Sequence, residues 1–303
     1  MDISEWDGNP ISLPGIYREI EIDVYHGGSI CAGPSISSSG LRTIDAKSPA
    51  HYWISSPYNP ERIEPASNPA FDFGRAAHTL LMGEGKFKES FVLKEYPDFR
   101  TNEAKAWRDA QIAAGKTILS DDDLANISGI AKSMERCPEI RAGLFDGLVE
   151  HSIFWKDEAT GVWLKSRPDV IPASDGVLVD LKTTTDASPY KVDRSILEYG
   201  YAAQGALAAW GMRAAAGIKI EHFVLVFVEK TPPWAVSIVE VDARWMDIGG
   251  KIIRRALRTF AECMKTGDWP FYGPPRTAYA PDWLEKRMDM EEASGLLPSS
   301  IEG

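Results

Sequence analysis

Between Leu148 and Thr185 the chain runs through three β-rich segments, "LVEHSIFW", "GVWLKSRPDVI" and "GVLVDLKTTT", joined by the short turns "KDEATG" and "PASDG". Connections this short suit an antiparallel meander. The period then changes. A helix is expected over about 195–216, then the strands "HFVLVFVEK" and "WAVSIVEV", then a helix over about 242–266. A meander followed by a helical crossover to further strands predicts an α/β protein with a mixed central β-sheet flanked by helices.

Upstream of Leu148 the pattern is mainly helical. Serines precede a short helix that ends at Pro49, and Asn68-Pro69 opens a helix over 69–82 with Gly83 as its stop. Thr101 opens another helix, and Ser120 with Asp123 forms a capping box for the next. Residues 1–35, rich in Gly, Pro and Ser, read as an extended arm. The expected organisation is that arm and one domain over 36–290, followed by a flexible tail, 291–303. Within the domain, 36–147 is helical, 148–266 is the β-rich core and 267–290 is a C-terminal extension.

Strand side chains alternate between faces. In "VLVDLK", Val177, Val179 and Leu181 are expected to enter the core, while Leu178, Asp180 and Lys182 share the opposite face, toward a cleft. One strand earlier, Lys165, Arg167 and Asp169 share a face. Pro168 has no N–H for a ladder, so that strand should end or bulge there and leave Asp169 near Asp180. Two adjacent carboxylates repel unless a cation joins them. Oxygen ligands with room for water suit Mg²⁺, with Mn²⁺ as a substitute. Lys182 beside them can orient an attacking water, take its proton or neutralise charge on a phosphate. On the predicted 69–82 helix, "FGRAAHTLL" sets Gly74 one turn before His78 on the same face, leaving space beside a candidate metal-ligating imidazole.

The net charge of −11 argues against indiscriminate coating of nucleic acid but leaves room for a local basic groove. Arg75, Lys165, Arg167, Lys191 and Arg194 lie near the motif and are candidate phosphate contacts. Cys31, Cys137 and Cys263 are too scattered for a disulfide framework or a zinc or iron–sulfur site. No apolar run approaches the ~20 residues of a membrane helix, and "MDISEWDGNP" is unlike a signal or transit peptide. A cytoplasmic protein is expected. The aromatics of "DWPFYG" and "APDWLEKR" are expected to serve packing.

Pro168-Asp169 followed by Asp180-Leu181-Lys182 resembles the motif of the PD-(D/E)xK nuclease superfamily. His78 upstream resembles the histidine of its RecB/lambda-exonuclease branch. The order of "GPSISSSGLRTIDAKSPAHYW", "GRAAHTLL", "VEHSIFWKDEATGVWLKSRPD", "VDLKTT", "YGYAAQGALAAWG" and "FVEKTPPWAVSIVEVD", from about Gly33 to Val241, is similar to the RecE-like, exodeoxyribonuclease VIII-type phage and prophage exonucleases. The resemblance implies metal binding by His78, Asp169, Asp180 and the Leu181 carbonyl, with Lys182 as the catalytic lysine. It also implies that Glu150 borders the site. Gln204 matches the first position of a Q-x-x-x-Y pattern, but position 208 is alanine. Tyr201, one turn earlier, is the candidate substitute and substrate contact. The implied activity is metal-dependent 5′→3′ degradation of linear double-stranded DNA from its ends, giving 3′ overhangs for a single-strand annealing recombinase. The implied assembly is a ring-like homo-oligomer. Another PD-(D/E)xK endonuclease and a non-catalytic DNA-binding recombination scaffold are the alternatives.

Overall fold

The structure, a computed structural model, describes residues 2–63, 69–81, 87–172 and 176–296. Asn68, Gly83, the middle of the "PASDG" turn and the end of the tail from 297 lie outside the described residues. Up to Phe271 the chain forms one compact unit; from Tyr272 a second unit contains the helix Asp282–Ala293.

The first unit is a mixed α/β structure with two five-stranded sheets among its described residues. One runs Ile3–Glu5, Gly15–Arg18, Ser152–Lys156, Trp163–Ser166, Ser35–Ser37. The other runs Val236–Val241, His222–Glu229, Val177–Thr184, Val170–Pro172, Gly147–Val149. The Asp180 strand pairs parallel with His222–Glu229 through the helical crossover, as the order of segments predicts, and antiparallel with Val170–Pro172.

The first two segments of the expected meander are each broken in two. The upper halves join one sheet and the lower halves the other, with links at Glu150-His151 and Arg167-Pro168-Asp169. The two links lie side by side, because the Glu150 N–H donates to the Asp169 carbonyl at 3.1 Å. Pro168 supplies no donor at the break, and Glu150 has φ +54°, a left-handed conformation uncommon for a residue with a Cβ.

The one-sided burial expected for the Asp180 strand is corrected. Both of its faces are covered. Leu178 enters a core with Leu207, Phe227 and Leu257, while Val179 and Leu181 enter a second core with Phe73, Ala76 and Ala77 of the helix Pro69–Leu81. Helices on both faces bury Leu178 to Leu181, and the strand opens only toward its end, where Lys182, Thr183 and Thr184 are half-buried and line a groove.

Residues 1–35 are also not an arm. They add two strands to a sheet and bury Ile11, Ile16, Ile20, Tyr25 and Ile30. Apolar residues spaced irregularly among Gly and Pro escape a periodicity reading. The long helix expected at 195–216 is two helices, Pro189–Glu198 and Tyr201–Ala216, parted by Gly200 at φ +63°. The helix Ala243–Thr266 agrees with its pattern and is capped by the Asp242 side chain, which accepts from the Trp245 N–H at 2.8 Å. Trp269 stacks on Trp53 at 4.5 Å between centroids, a packing role for that part of the aromatic tail. No helix among the described residues is long and apolar enough to cross a membrane.

The Gly249 helix crosses Tyr201–Ala216 so closely that a Cβ at Gly249 would stand 2.3 Å from the Ala202 carbonyl oxygen. Alanine gains about 1 kcal/mol of helix propensity, but a backbone atom cannot rotate away. Gly249→Ala is expected to destabilise the fold by about 1–3 kcal/mol, seen as a lower denaturant midpoint.

Candidate active site

The site forms where the two broken strands separate. Pairing of Val170 with Val179 is the one Cα register between these two strands, and the next edge donor it leaves, the Leu181 N–H, donates instead to Asp169 Oδ2 at 2.6 Å. Asp169 therefore completes the sheet edge and presents its carboxylate at the opening.

His78 reaches the same point from the face covered by its helix. Its Nε2 lies 3.0 Å from Asp169 Oδ2 and its Nδ1 lies 3.3 Å from Glu150 Oε1. One donor atom from each of His78, Glu150 and Asp169 falls within a 4.8 Å cluster. Gly74 gives the helix room, since a Cβ there would stand 3.1 Å from Thr183 Oγ1.

From the other face come Asp180 and Lys182. The Asp180 carboxylate is 1% exposed and touches the Lys182 ammonium through Oδ2. Its Oδ1 accepts from Gln204 Nε2 at 2.6 Å. The Lys182 ammonium lies 4.9 Å from the centre of the Tyr201 ring. His78 Nε2 and Asp180 Oδ2 are both buried, and their contacts with Asp169 and Lys182 pair opposite charges. The donor cluster thus contains Glu150 and not Asp180, whose carboxylate is held by Lys182 and Gln204. This differs from the ligand set implied by resemblance. Leu181 is adjacent through its N–H.

The charges are interdependent. Burial disfavours the His78 imidazolium, but Asp169, with Glu150 and Asp180, outweighs it and raises His78 to about 9. Burial pushes Asp169 up, yet His78 and Lys182 hold it below the usual carboxylate range. Burial and then Asp169 push Asp180 up to about 6. Burial disfavours the Lys182 ammonium, but Asp180 and Asp169 keep it charged and raise its pKa.

A nitrogen and two carboxylates at one opening fit a divalent cation, and the imidazolium occupies that role electrostatically when no cation is bound. Its raised pKa means that His78 stabilises the metal-free fold fully below about 6.5, and loses that contribution as pH rises through about 9. Coordination by His78 must displace a proton. Mn²⁺ binding at pH 7.5 is therefore expected to release about one proton, with affinity rising roughly tenfold per pH unit toward 9. Calorimetry in buffers of different ionisation enthalpy measures this; proton-neutral binding contradicts it.

The opening continues into a groove of about 1080 Å³. Among the described residues six Lys and Arg side chains line it beside His78, namely Arg42, Arg75, Lys182, Lys191, Arg194 and Lys230, against three acids, Asp169, Asp186 and Glu198. Of the expected phosphate contacts, Arg75, Lys191 and Arg194 are there; Arg75 also contacts Thr117 and lies 5.4 Å from the Phe91 ring centre. Lys165 and Arg167 are corrected. Lys165 is 3% exposed and its ammonium donates to the Tyr25 carbonyl at 2.6 Å; Arg167 is also turned inward. Arg42 and Lys230 escaped the sequence reading. Arg42 sits on the helix Ser38–Ala46 and donates to the Tyr199 carbonyl where Gly200 parts two helices. No local pattern ties it to a site assembled far downstream.

A mixed sheet that carries Asp169, Asp180 and Lys182 at its opened edge, with His78 from a preceding helix, defines the PD-(D/E)xK nuclease fold. Residues 37–274 match a family profile, the PDDEXK-like domain of unknown function (DUF3799), and the chain belongs to that family. The fold is similar to that of an ascribed exonuclease from Eubacterium rectale, with a TM-score of 0.55 and 16% identity over 82% of this chain and 90% of that one. Weaker similarity extends to a phage-related exonuclease from Haemophilus somnus 129PT, with a TM-score of 0.34 and 12% identity over 77% and 96% of the two chains. It also extends to an alkaline exonuclease from Laribacter hongkongensis, with a TM-score of 0.24 and 12% identity over 65% and 97%. No curated protein matches the sequence.

Proposed function

We propose that this protein is a divalent-metal-dependent exodeoxyribonuclease. It degrades linear double-stranded DNA from its ends, 5′ to 3′, and leaves 3′ single strands for an annealing recombinase, acting in the cytoplasm as a ring-like homo-oligomer. The observation that carries the nuclease reading is the convergence of His78, Glu150, Asp169, Asp180 and Lys182, of which His78, Asp169 and Lys182 line a groove rich in Lys and Arg in an otherwise acidic protein. Polarity, overhang and assembly rest on the sequence resemblance.

His78, Glu150 and Asp169 would hold the cation, Mg²⁺ with Mn²⁺ as substitute, and Asp180 lies beside them. A bound divalent cation supplies charge neutralisation at a phosphodiester and makes water more acidic. Lys182, kept charged by Asp180, orients the attacking water and donates to a phosphate oxygen as negative charge develops. This retained charge favours an electrostatic role over proton abstraction. Gln204 holds the Asp180 carboxylate, and Asp180 in turn holds Lys182. Arg42, Lys191 and Arg194 position the backbone without reading bases. In-line attack leaves a 5′-phosphate.

The test uses Mg²⁺ with linear duplex labelled at the 5′ or 3′ end, and with closed circular duplex. Early loss of the 5′ label, intact circles and no reaction in chelator are expected. Cutting of closed circles would establish an endonuclease; no metal-dependent cleavage would favour a binding scaffold.

A further inference from the structure

The sequence places Arg167 among residues facing DNA, yet its side chain is only 9% exposed and does not line the groove. Nε donates to Ser152 Oγ at 2.8 Å and Nη2 donates to the Ile20 carbonyl at 2.6 Å. The guanidinium carbon lies 4.6 Å from the centre of the Tyr25 ring. The remaining nitrogen, Nη1, is 3.8 Å from Glu150 Oε2. Glu150 directs its other oxygen, Oε1, to His78.

We propose that Arg167 is a positioning residue that sets the Glu150 carboxylate in the donor cluster and ties that setting to the folded N-terminal segment. The inference rests on the metal-site reading above. Glu150 sits on a two-residue link between sheets, in a left-handed conformation, with a long side chain that is 31% exposed. A glutamate so placed loses rotamer freedom when it is fixed. The planar guanidinium supplies what fixing requires, because its donors diverge at set angles. Two are anchored to different elements, Ser152 and Ile20, and the ring of Tyr25 supports the plane. The third direction then faces Glu150 Oε2, while Oε1 is the oxygen turned to His78. A lysine keeps the charge but cannot hold both anchors and face Glu150 at once. By this route Ile20 and Tyr25, neither of which lines the groove, would bear on the site.

The experiment measures Mn²⁺ affinity by electron paramagnetic resonance on the full chain, comparing wild type, Arg167→Lys, Glu150→Gln and the double variant. Arg167→Lys preserves charge, so electrostatic attraction of the cation is unchanged and geometry alone is tested. Losing an outer-shell partner typically costs 10–100-fold in metal affinity, and about tenfold is expected here. In the Glu150→Gln background the same change should add nothing, because its effect runs through that carboxylate. Ser152→Ala, which removes one anchor and keeps the arginine, should shift affinity the same way by less, and carries the test if Arg167→Lys misfolds. DNA affinity in chelator, and its salt dependence, should be unchanged. Wild-type Mn²⁺ affinity in Arg167→Lys, or losses that add in the double variant, overturns the proposal. So does weaker DNA binding with a shallower salt slope and normal Mn²⁺ affinity, which makes Arg167 a phosphate contact. Absence of Mn²⁺ binding by the wild type would overturn the metal-site reading itself, and this proposal with it.

Discussion

Lys182→Ala is expected to reduce cleavage of linear duplex by about 10³-fold, the scale of removing one well-placed transition-state donor. Duplex affinity should change little, because Lys182 is one of six Lys and Arg side chains that line the groove among the described residues. The fold should survive. The variant leaves Asp180 buried without its cation, and that carboxyl already sits at about 6, so it can take a proton instead of remaining charged. Gln204 still serves one of its oxygens. Single-turnover cleavage and binding in chelator separate the two effects. Cleavage within about tenfold of wild type would remove Lys182 from the chemistry. An equal fall in affinity would make it a binding residue.

The second large effect is expected at Asp169. Asp169→Asn keeps an oxygen able to accept from the Leu181 N–H but removes the charge opposite His78. Mn²⁺ affinity should fall by more than about 100-fold and cleavage should be lost with it. The His78 pKa should drop from about 9 toward its ordinary value, because Asp169 is the main carboxylate opposing its burial. Asp169→Ala differs in a useful way. It also strips the partner from a backbone donor at the sheet edge, adding a cost of about 1–3 kcal/mol. A stable Asn variant without metal affinity, beside a less stable Ala variant, separates the two duties. Full metal affinity in Asp169→Asn would contradict the site.

The parts of the fold that were legible in the sequence are those governed by local rules. Alternation in "VLVDLK" sets Asp180 and Lys182 on one face, and the capping box at Ser120 and Asp123 opens the helix Asp121–Met134. Pro168 marks the break from which Asp169 emerges. What stayed hidden depends on partners distant in sequence. The other face of the Asp180 strand looks identical in sequence whether helices or water cover it. The N-terminal 35 residues gain their structure by pairing Gly15–Arg18 with Ser152–Lys156, far downstream. Lys165 and Arg167 point inward because that same segment supplies carbonyl acceptors and an aromatic ring. Glu150 carries no local sign of its position; its turn into the cluster follows from a positive φ that sequence does not announce. Gly200 could have been read as a helix break, since glycine is the residue that tolerates the left-handed conformation at low cost.

The central claim is that His78, Glu150 and Asp169 hold one divalent cation beside Asp180 and Lys182. Anomalous diffraction from crystals soaked in Mn²⁺ tests it most directly. One peak is expected within coordination distance, about 2.0–2.3 Å, of a His78 nitrogen and oxygens of Glu150 and Asp169, with Lys182 outside the coordination sphere. A peak elsewhere, or none at a Mn²⁺ concentration that supports DNA cleavage, would contradict the account.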